Sequence, residues 1–299
     1  MIEVANVAKR FGAFTALEGI TLSVADGMVY GLVGYNGAGK TTLLKIIAGV
    51  YKPDAGEVRI DGVPMHSDRV SHDSLFIVAD EPYFLPQATP ETMRSFYRGY
   101  YPHWSDDVYE RMLALFGLDP MAKVTGFSKG MQRQLGILLG FATGVKTMLL
   151  DESFDGLDLG KRNLLKRLLK TYAHERGASV ILSSHNLREL EDVCDHVGIM
   201  NKGKVLLERS LSELQENTVK MQIVFRGEGA PELPAGLNLL HESHLGRVFT
   251  IIFRGNTQQI TERLAALDPV YMEAVPLTLE EIFIYELGGA DYAVRDIVL

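Results

Sequence analysis

The sequence predicts an α/β fold followed by a small α+β domain, and three observations carry that prediction. A glycine-rich segment, Gly34-Tyr35-Asn36-Gly37-Ala38-Gly39-Lys40-Thr41-Thr42, lies between an apolar run at 28–33 and a run of helix formers at 42–48. Short apolar runs at 75–79, 147–150 and 179–184 each end in polar residues, as buried strands of such a sheet do. After about residue 218 the alternation of strand and helix patterns starts afresh.

The elements read in order as follows. Residues 2–7 alternate apolar and polar, a strand, and Lys9-Arg10-Phe11-Gly12 reads as a loop. A strand at 20–24, a turn at Asp26-Gly27 and the apolar strand at 28–33 lead into the glycine-rich segment. Pro53-Asp54-Ala55-Gly56 is a turn, and 57–60 is a short strand closed by Asp61-Gly62. From about 82 to 144 the texture changes. Tyr83, Phe84, Phe96, Tyr97, Tyr100, Tyr101 and Trp104 crowd a short span, and 109–116 and 131–141 have helical spacing. This stretch reads as a helical insertion, its aromatics shared between internal packing and a docking surface. A helix with Leu164, Leu165, Leu168, Leu169 and Tyr172 on one face follows 147–152. Two short strands flank Lys202-Gly203, a closing hairpin. Ser210 and Glu213 form a capping box.

The domains are therefore 1–217 and 218–299. In the second, 220–225 and 248–253 read as strands joined by a Pro/Gly-rich link at 230–236. Residues 259–267 form an amphipathic helix with Ile260, Leu264 and Leu267 on one face. Thr278 and Glu281 form a second capping box, opening a helix with Leu279, Ile282, Phe283 and Leu287. No catalytic constellation is visible there.

Composition narrows the function classes. The chain has 299 residues, 46% of them hydrophobic, enough for a sizeable core. Thirty basic residues against 38 acidic ones give a net charge of −8, the wrong sign for a nucleic-acid wrapper. One cysteine, Cys194, excludes an internal disulfide framework and suits a reducing cytosol. The start, MIEVANVAKRF, has no signal-peptide core. The longest apolar candidate, 137–150, is shorter than the ~18 residues a membrane helix needs, and it contains Lys146. A role at a membrane then calls for another chain to span it.

The glycine-rich segment fits G-x-x-x-x-G-K-[ST], a phosphate-binding P-loop, in the strand–loop–helix context the motif requires. Glycines let backbone N–H groups converge on a phosphate, and the new helix adds partial positive charge. Lys40 would reach the β- and γ-phosphates, and the Thr41 hydroxyl would ligate Mg²⁺. In a P-loop chain the apolar strand 147–150 lies beside the P-loop strand, which brings Asp151 near the metal. Glu152 could orient or deprotonate water. His185 falls at a strand end; lone histidines are usually structural, but ligands bind at that edge of an open α/β sheet. Phe11, ahead of the P-loop, is either a packing aromatic or a base-stacking one.

In combination these residues resemble the nucleotide-binding subunit of ATP-binding-cassette (ABC) transporters, over residues 1 to about 215. Residues 34–42 are similar to the Walker A loop, and 149–152 to Walker B with its catalytic glutamate. Phe127-Ser128-Lys129-Gly130-Met131-Gln132 looks like the signature Leu-Ser-Gly-Gly-Gln, in a variant resembling export-type subunits. Gly156-Leu157-Asp158 resembles the D-loop, His185 the switch histidine and Phe11 the adenine-stacking aromatic. Residues 279–283 resemble the C-terminal segment of export-type subunits.

The resemblance implies a P-loop NTPase core with an antiparallel β subdomain and a helical insertion. It implies an ATPase using ATP and Mg²⁺, with two cassettes closing head to tail and separate permease chains converting that motion into transport. The second cassette is either a copy of this chain or a different one. The chain would sit in the cytoplasm, peripheral on the inner face of the cell membrane. Each site would take Phe11, Asn36, Gly37, Ala38, Gly39, Lys40, Thr41, Thr42, Asp151 (through water), Glu152 and His185 from one protomer, and Ser128 and Gly130 from the other.

Three positions depart from the family pattern. Lys129 replaces a signature glycine, and Ser153 stands where proline often follows the glutamate. Asp80 stands where a glutamine usually senses metal and permease, with Glu81 as the alternative if the alignment slips by one. On this reading Asp80 joins the metal site. The competing reading is a soluble ABC-type ATPase acting on ribosomes or DNA. Against it, the chain has one cassette and no heptad run.

Overall fold

The computed structural model describes residues 1–67, 72–216, 218–226, 233–278 and 280–281. In chain order its first elements are β1 (Ile2–Phe11), β2 (Phe14–Val24), β3 (Val29–Val33), α1 (Lys40–Ile47), β4 (Ala55–Ile60), β5 (Val63–Pro64) and β6 (Leu75–Val78). The insertion supplies α2 (Pro90–Arg98), α3 (Asp106–Phe116) and α4 (Lys129–Thr143). Then come β7 (Thr147–Leu150), α5 (Leu159–Arg176), β8 (Ser179–Ser184), α6 (Leu187–Leu190), β9 (His196–Asn201) and β10 (Lys204–Ser210). The remainder is α7 (Leu211–Glu216), β11 (Thr218–Val224), β12 (Asn238–Leu245), β13 (Val248–Arg254), α8 (Thr257–Ala265) and β14 (Tyr271–Val275).

The chain divides into two compact units, Met1–Glu208 and Arg209–Leu299. The division falls ahead of the 217/218 boundary read from sequence, because α7 goes with β11, on which it packs.

In the first unit, a six-stranded sheet has the order β10-β9-β3-β8-β7-β6. The pairs β9–β3, β3–β8, β8–β7 and β7–β6 are all parallel. Every residue of β3, β7 and β8 is buried, which is why these strands read as unbroken apolar runs. β10 follows β9 through Lys202-Gly203, both at positive φ (46° and 77°), the geometry of a tight hairpin. A second sheet, β2-β1-β4-β5, is antiparallel and packs with α1 around Ile2, Leu17, Ile20, Leu43, Leu44 and Ile46.

One local expectation is corrected here. Lys9, Arg10 and Phe11 are the end of β1, not a loop, and the turn is Gly12-Ala13. Three register shifts in the β1–β2 pairing break the strict alternation that would have revealed the longer strand.

The insertion lies between β6 and β7, and its helix α4 is buried on nearly every side from Arg133 onward. Gly140 and Gly136 make that possible: a Cβ there would meet Phe76 at 3.0 Å and Val78 at 3.3 Å. The aromatics divide between two roles. Tyr97 and Tyr101 pack on Phe76, and Trp104 on Tyr109, whereas Tyr83 and Tyr100 are exposed.

In the second unit the order is β12-β13-β11-β14, antiparallel throughout. Val219, Met221, Ile223, Ile251, Phe253, Ile260 and Leu264 form its core. β12 and β14 were not read from sequence: both flank the sheet and are mostly exposed, β12 is interrupted by polar residues, and β14 is only five residues long. Thr278 N donates to Glu281 at 3.0 Å and Glu281 N to Thr278 Oγ1 at 3.2 Å, both halves of a capping box. Leu279, Ile282, Phe283, Leu287 and residues 230–232 of the Pro/Gly-rich link lie outside the described residues.

Candidate active site

Strands β3, β8, β7 and β6 lie side by side and parallel, so β7 is not beside the P-loop strand β3 as expected: β8 lies between them. Gly34, His185, Asp151 and Asp80 therefore follow their carboxyl ends in a row, at the edge where such sheets bind ligands.

The loop from β3 into α1 is shaped by close approach. A Cβ on Gly34 would lie 2.4 Å from the Met200 carbonyl oxygen. Gly39 has φ +106°, and its Cβ would lie 2.8 Å from the Ala16 carbonyl, so glycine is required there twice over. As the N-cap of α1 it offers no capping side chain, which leaves first-turn N–H groups for an anion. Asn36 and Gly37 are exposed at the loop tip, Ala38 is buried, and Thr41 and Thr42 follow on α1.

Lys40 is only 5% exposed. Its Nζ donates to the carbonyls of Gly34 (2.5 Å) and Tyr35 (3.2 Å) and lies 3.0 Å from Glu152 Oε1. The other oxygen, Oε2, accepts from the His185 backbone N–H at 3.2 Å and lies 2.9 Å from His185 Nδ1. Glu152 holds φ +46°, a left-handed conformation unusual for a residue with a Cβ. The turn swings its carboxylate from the end of β7 into the space between Lys40 and His185. Asp151 sits behind it: Ser183 Oγ donates to Asp151 Oδ1 at 2.5 Å and accepts from Glu152 N at 3.0 Å. The Thr41 hydroxyl lies close enough to help stabilise the Asp151 carboxylate. The two residues read from sequence as metal-side groups are thus direct neighbours.

Electrostatics follow from these contacts. Burial pushes the Asp151 carboxyl above its usual range, against the hydrogen bond from Ser183 and the lowering influence of the Thr41 hydroxyl. Burial works the same way on Glu152, but Lys40 and His185 outweigh it and hold that carboxyl below its usual range. The hydrogen bond to Glu152 raises the His185 imidazole above its ordinary value despite partial burial. At neutral pH the site holds an ionised Glu152 between the Lys40 ammonium and the His185 imidazole.

Beyond Glu152, the loop 155–158 is held by two arginines. Arg133 of α4 donates through Nη1 to the Asp155 carbonyl and through Nη2 to Asp80 Oδ1 (2.5 Å) and the Asp80 carbonyl (2.8 Å). Arg162 of α5 donates to the Leu157 carbonyl at 2.9 Å and lies 3.1 Å from Glu189, whose other oxygen accepts from Ser184 at 2.7 Å. Asp80, expected at the metal, thus has one carboxylate oxygen on Arg133. Glu81, the alternative, is exposed.

Ser128 caps α4, its Oγ accepting from Met131 N at 3.2 Å, and it is exposed, as is Lys129. Gly130 is buried against the loop: a Cβ there would lie 2.5 Å from the Gly156 carbonyl. Ser153 Oγ is buried with no hydrogen-bond partner among the described residues. Phe11 is 44% exposed, edge-on to Tyr51 at 5.6 Å between ring centroids.

Sequence reasoning missed Arg133, Arg162, Ser183 and Glu189. Ser183 could have been flagged as a hydroxyl inside an apolar strand. The other three look like ordinary charged helix residues, and no spacing rule singles them out.

A family model described as ABC transporter matches residues 17–155. The lantibiotic transport ATP-binding protein SrtF of Streptococcus pyogenes is 30% identical over 231 residues, covering 75% of this chain and 98% of SrtF. The chain belongs to the ABC transporter ATP-binding family. The ABC transporter ATP-binding protein YtrB of Bacillus subtilis (strain 168) is 26% identical over 298 residues, covering 97% of this chain and 99% of YtrB. A solved ATP-binding subunit of an ABC transporter superposes with a TM-score of 0.66 at 28% identity, covering 72% of this chain and 92% of that one.

As an ABC cassette the chain binds ATP with Mg²⁺, hydrolyses it to ADP and phosphate, and powers a membrane transporter by ATP-dependent closing and opening of a cassette dimer. The residues present fit that ligand: a glycine cradle that a Cβ would fill, a buried lysine, and a hydroxyl–carboxylate pair at Thr41 and Asp151. Bound there, Mg²⁺ would neutralise charge on the β- and γ-phosphates. Cassettes of this family dimerise and work with transmembrane permease components.

Proposed function

We propose that each ATP is hydrolysed by Glu152, acting on water while Lys40 and His185 hold its carboxylate in place. The observation that carries this reading is the chain of contacts Lys40–Glu152–His185, with separations of 3.0 and 2.9 Å. Lys40 also reaches the β- and γ-phosphates, with the N–H groups of Asn36, Gly37, Ala38, Gly39, Thr41 and Thr42 around them. Thr41 would hold Mg²⁺ directly and Asp151 would do so through water. Phe11 stacks on the adenine. Ser128 and Gly130 contact the γ-phosphate bound by the other protomer, from the N-terminus of α4.

The partner cassette is a second copy or a close relative, and separate permease chains span the membrane. Among the described residues no helix is long and apolar enough to do so. This reading places the chain in the cytoplasm, peripheral on the inner face of the cell membrane, with no nucleic-acid partner. Export is the proposed direction: the Ser128-Lys129-Gly130-Met131 sequence resembles export-type subunits, and the relative SrtF is named for lantibiotic transport. The second unit is an accessory domain without nucleotide ligands.

Cysteine pairing tests the composite site. Asn36→Cys and Ser128→Cys, combined in one chain with Glu152→Gln, should form an intermolecular disulfide when ATP and Mg²⁺ are present. A dimer seen by size-exclusion that never cross-links would overturn the head-to-tail arrangement.

A further inference from the structure

Asp80 lies where the core gives way to the insertion, two residues past β6, and its side chain is half exposed. Arg133, which it holds, is 7% exposed. One guanidinium nitrogen takes both the Asp80 carboxylate and the Asp80 carbonyl; the other takes the Asp155 carbonyl. Asp155 N in turn donates to the Glu152 carbonyl at 3.2 Å. A continuous path therefore runs Asp80–Arg133–Asp155–Glu152. One turn earlier on α4, Gly130 rests on Gly156, so the same helix grips the loop at two points.

The chemistry of the link is specific. A buried guanidinium needs a counter-charge, and Asp80 is the carboxylate that Arg133 contacts. Its planar fork serves three acceptors on two residues in different directions, which a lysine ammonium on a flexible stem does poorly. A glutamine at position 80 could accept a hydrogen bond but could not neutralise the charge.

We propose that Asp80 is a positioning residue and not a magnesium ligand: by holding Arg133 it fixes loop 155–158, and through Asp155 the backbone that aims Glu152. This inference rests on Glu152 being the hydrolytic residue, a point that Glu152→Gln tests by itself. The insertion thereby has a mechanical connection to the hydrolytic turn, independent of any metal contact at position 80.

The test uses the full chain with Asp80→Asn, Asp80→Ala, Arg133→Lys, Arg133→Gln and the double variant Asp80→Ala/Arg133→Gln. ATPase rate is measured against ATP and against Mg²⁺. Each protein also carries a nitroxide on Leu159→Cys, an exposed position just past the loop, while buried Cys194 stays unlabelled. Thermal unfolding confirms that each variant is folded, and Asp80→Asn with Arg133→Lys suffice if the harsher ones are not.

The expected result is kcat lower by roughly tenfold or more with KM for ATP within about threefold, a transition-state loss without a binding loss. The Mg²⁺ midpoint should stay at the wild-type value, the nitroxide should gain mobility, and the double variant should be no worse than its worse single. A shifted Mg²⁺ midpoint in Asp80→Asn but not in Arg133→Lys would overturn the proposal and return Asp80 to the metal. Strictly additive losses, or an unchanged nitroxide spectrum in variants that have lost turnover, would overturn it as well.

Discussion

Lys40 Nζ lies 3.0 Å from Glu152 Oε1, and both side chains are at least nine-tenths buried. The lysine proposed to grip phosphate and the glutamate proposed to work on water are therefore partners in one ion pair. Breaking a buried pair from one side leaves an uncompensated charge, typically a loss of about 3–5 kcal/mol. The two residues nevertheless have separable roles, because only Lys40 is aimed by the glycine loop.

Glu152→Gln should keep ATP binding and lose turnover by roughly 10²–10⁴-fold, the usual worth of a positioned base. Glutamine still fills the space and can bond Lys40 and His185, but it neither orients nor deprotonates water as well. Size-exclusion with ATP and Mg²⁺ should show a trapped dimer. Wild-type turnover in this variant would remove Glu152 from the mechanism.

Lys40→Ala and Ser128→Arg should fail in different ways. Without Lys40 the phosphates lose their principal cation, and a binding titration should show little nucleotide uptake. An arginine at Ser128 sits on an exposed helix end, so uptake by the monomer should survive while dimer closure and turnover do not. Equal losses of binding in the two variants would contradict a site shared between protomers.

The His185–Glu152 pair should give the nucleotide-free protein a window of added stability in pH. The imidazole is raised above its ordinary 6.5, so its contribution is complete below that value and fades as pH climbs through the folded value. The carboxyl is lowered from its ordinary 4.5, so its contribution is complete above that value and fades as pH falls through the folded value. Chemical denaturation of wild type and His185→Asn should differ most between pH 4.5 and 6.5, and less on either side. A pH-independent difference would mean that the contact carries no charge.

Cys194 is buried beside Gly31 and Leu190, and burial raises its thiol far above the ordinary value. Iodoacetamide at mildly alkaline pH should leave the folded protein unmodified and label it fully in denaturant. Labelling at equal rates in both conditions, read by intact mass, would place the thiol at the surface.

Much of the first unit was legible because parallel strands buried on both faces leave long apolar runs. The residue just past each run is where the sheet edge binds ligands, and Asp151 and His185 were found that way. The P-loop was legible for the same reason plus its glycines. Ser105 and Thr89 cap α3 and α2, yet the helical spacing alone placed the start of α3 three residues late, at Tyr109. Arg133 was invisible because two of its three contacts are backbone carbonyls, of Asp80 and Asp155, and the third is a carboxylate 53 residues away in the chain. β12 went unread because an exposed strand such as Asn238–Leu245 has no buried face to impose alternation.

The left-handed backbone at Glu152 has a consequence for how this protein can change. A residue with a Cβ at that φ costs on the order of 1–3 kcal/mol, which glycine would not incur and asparagine would incur less. Glycine or asparagine there would also leave the buried Lys40 ammonium without its counter-charge, a loss of about 3–5 kcal/mol that outweighs the relief. Even selection for heat resistance alone should therefore keep an acid at this position, and Gly or Asn should be absent among variants that melt later. The strained turn is held in place by the ion pair it creates, so the backbone's preference and the side chain's contacts pull in opposite directions and the contacts prevail.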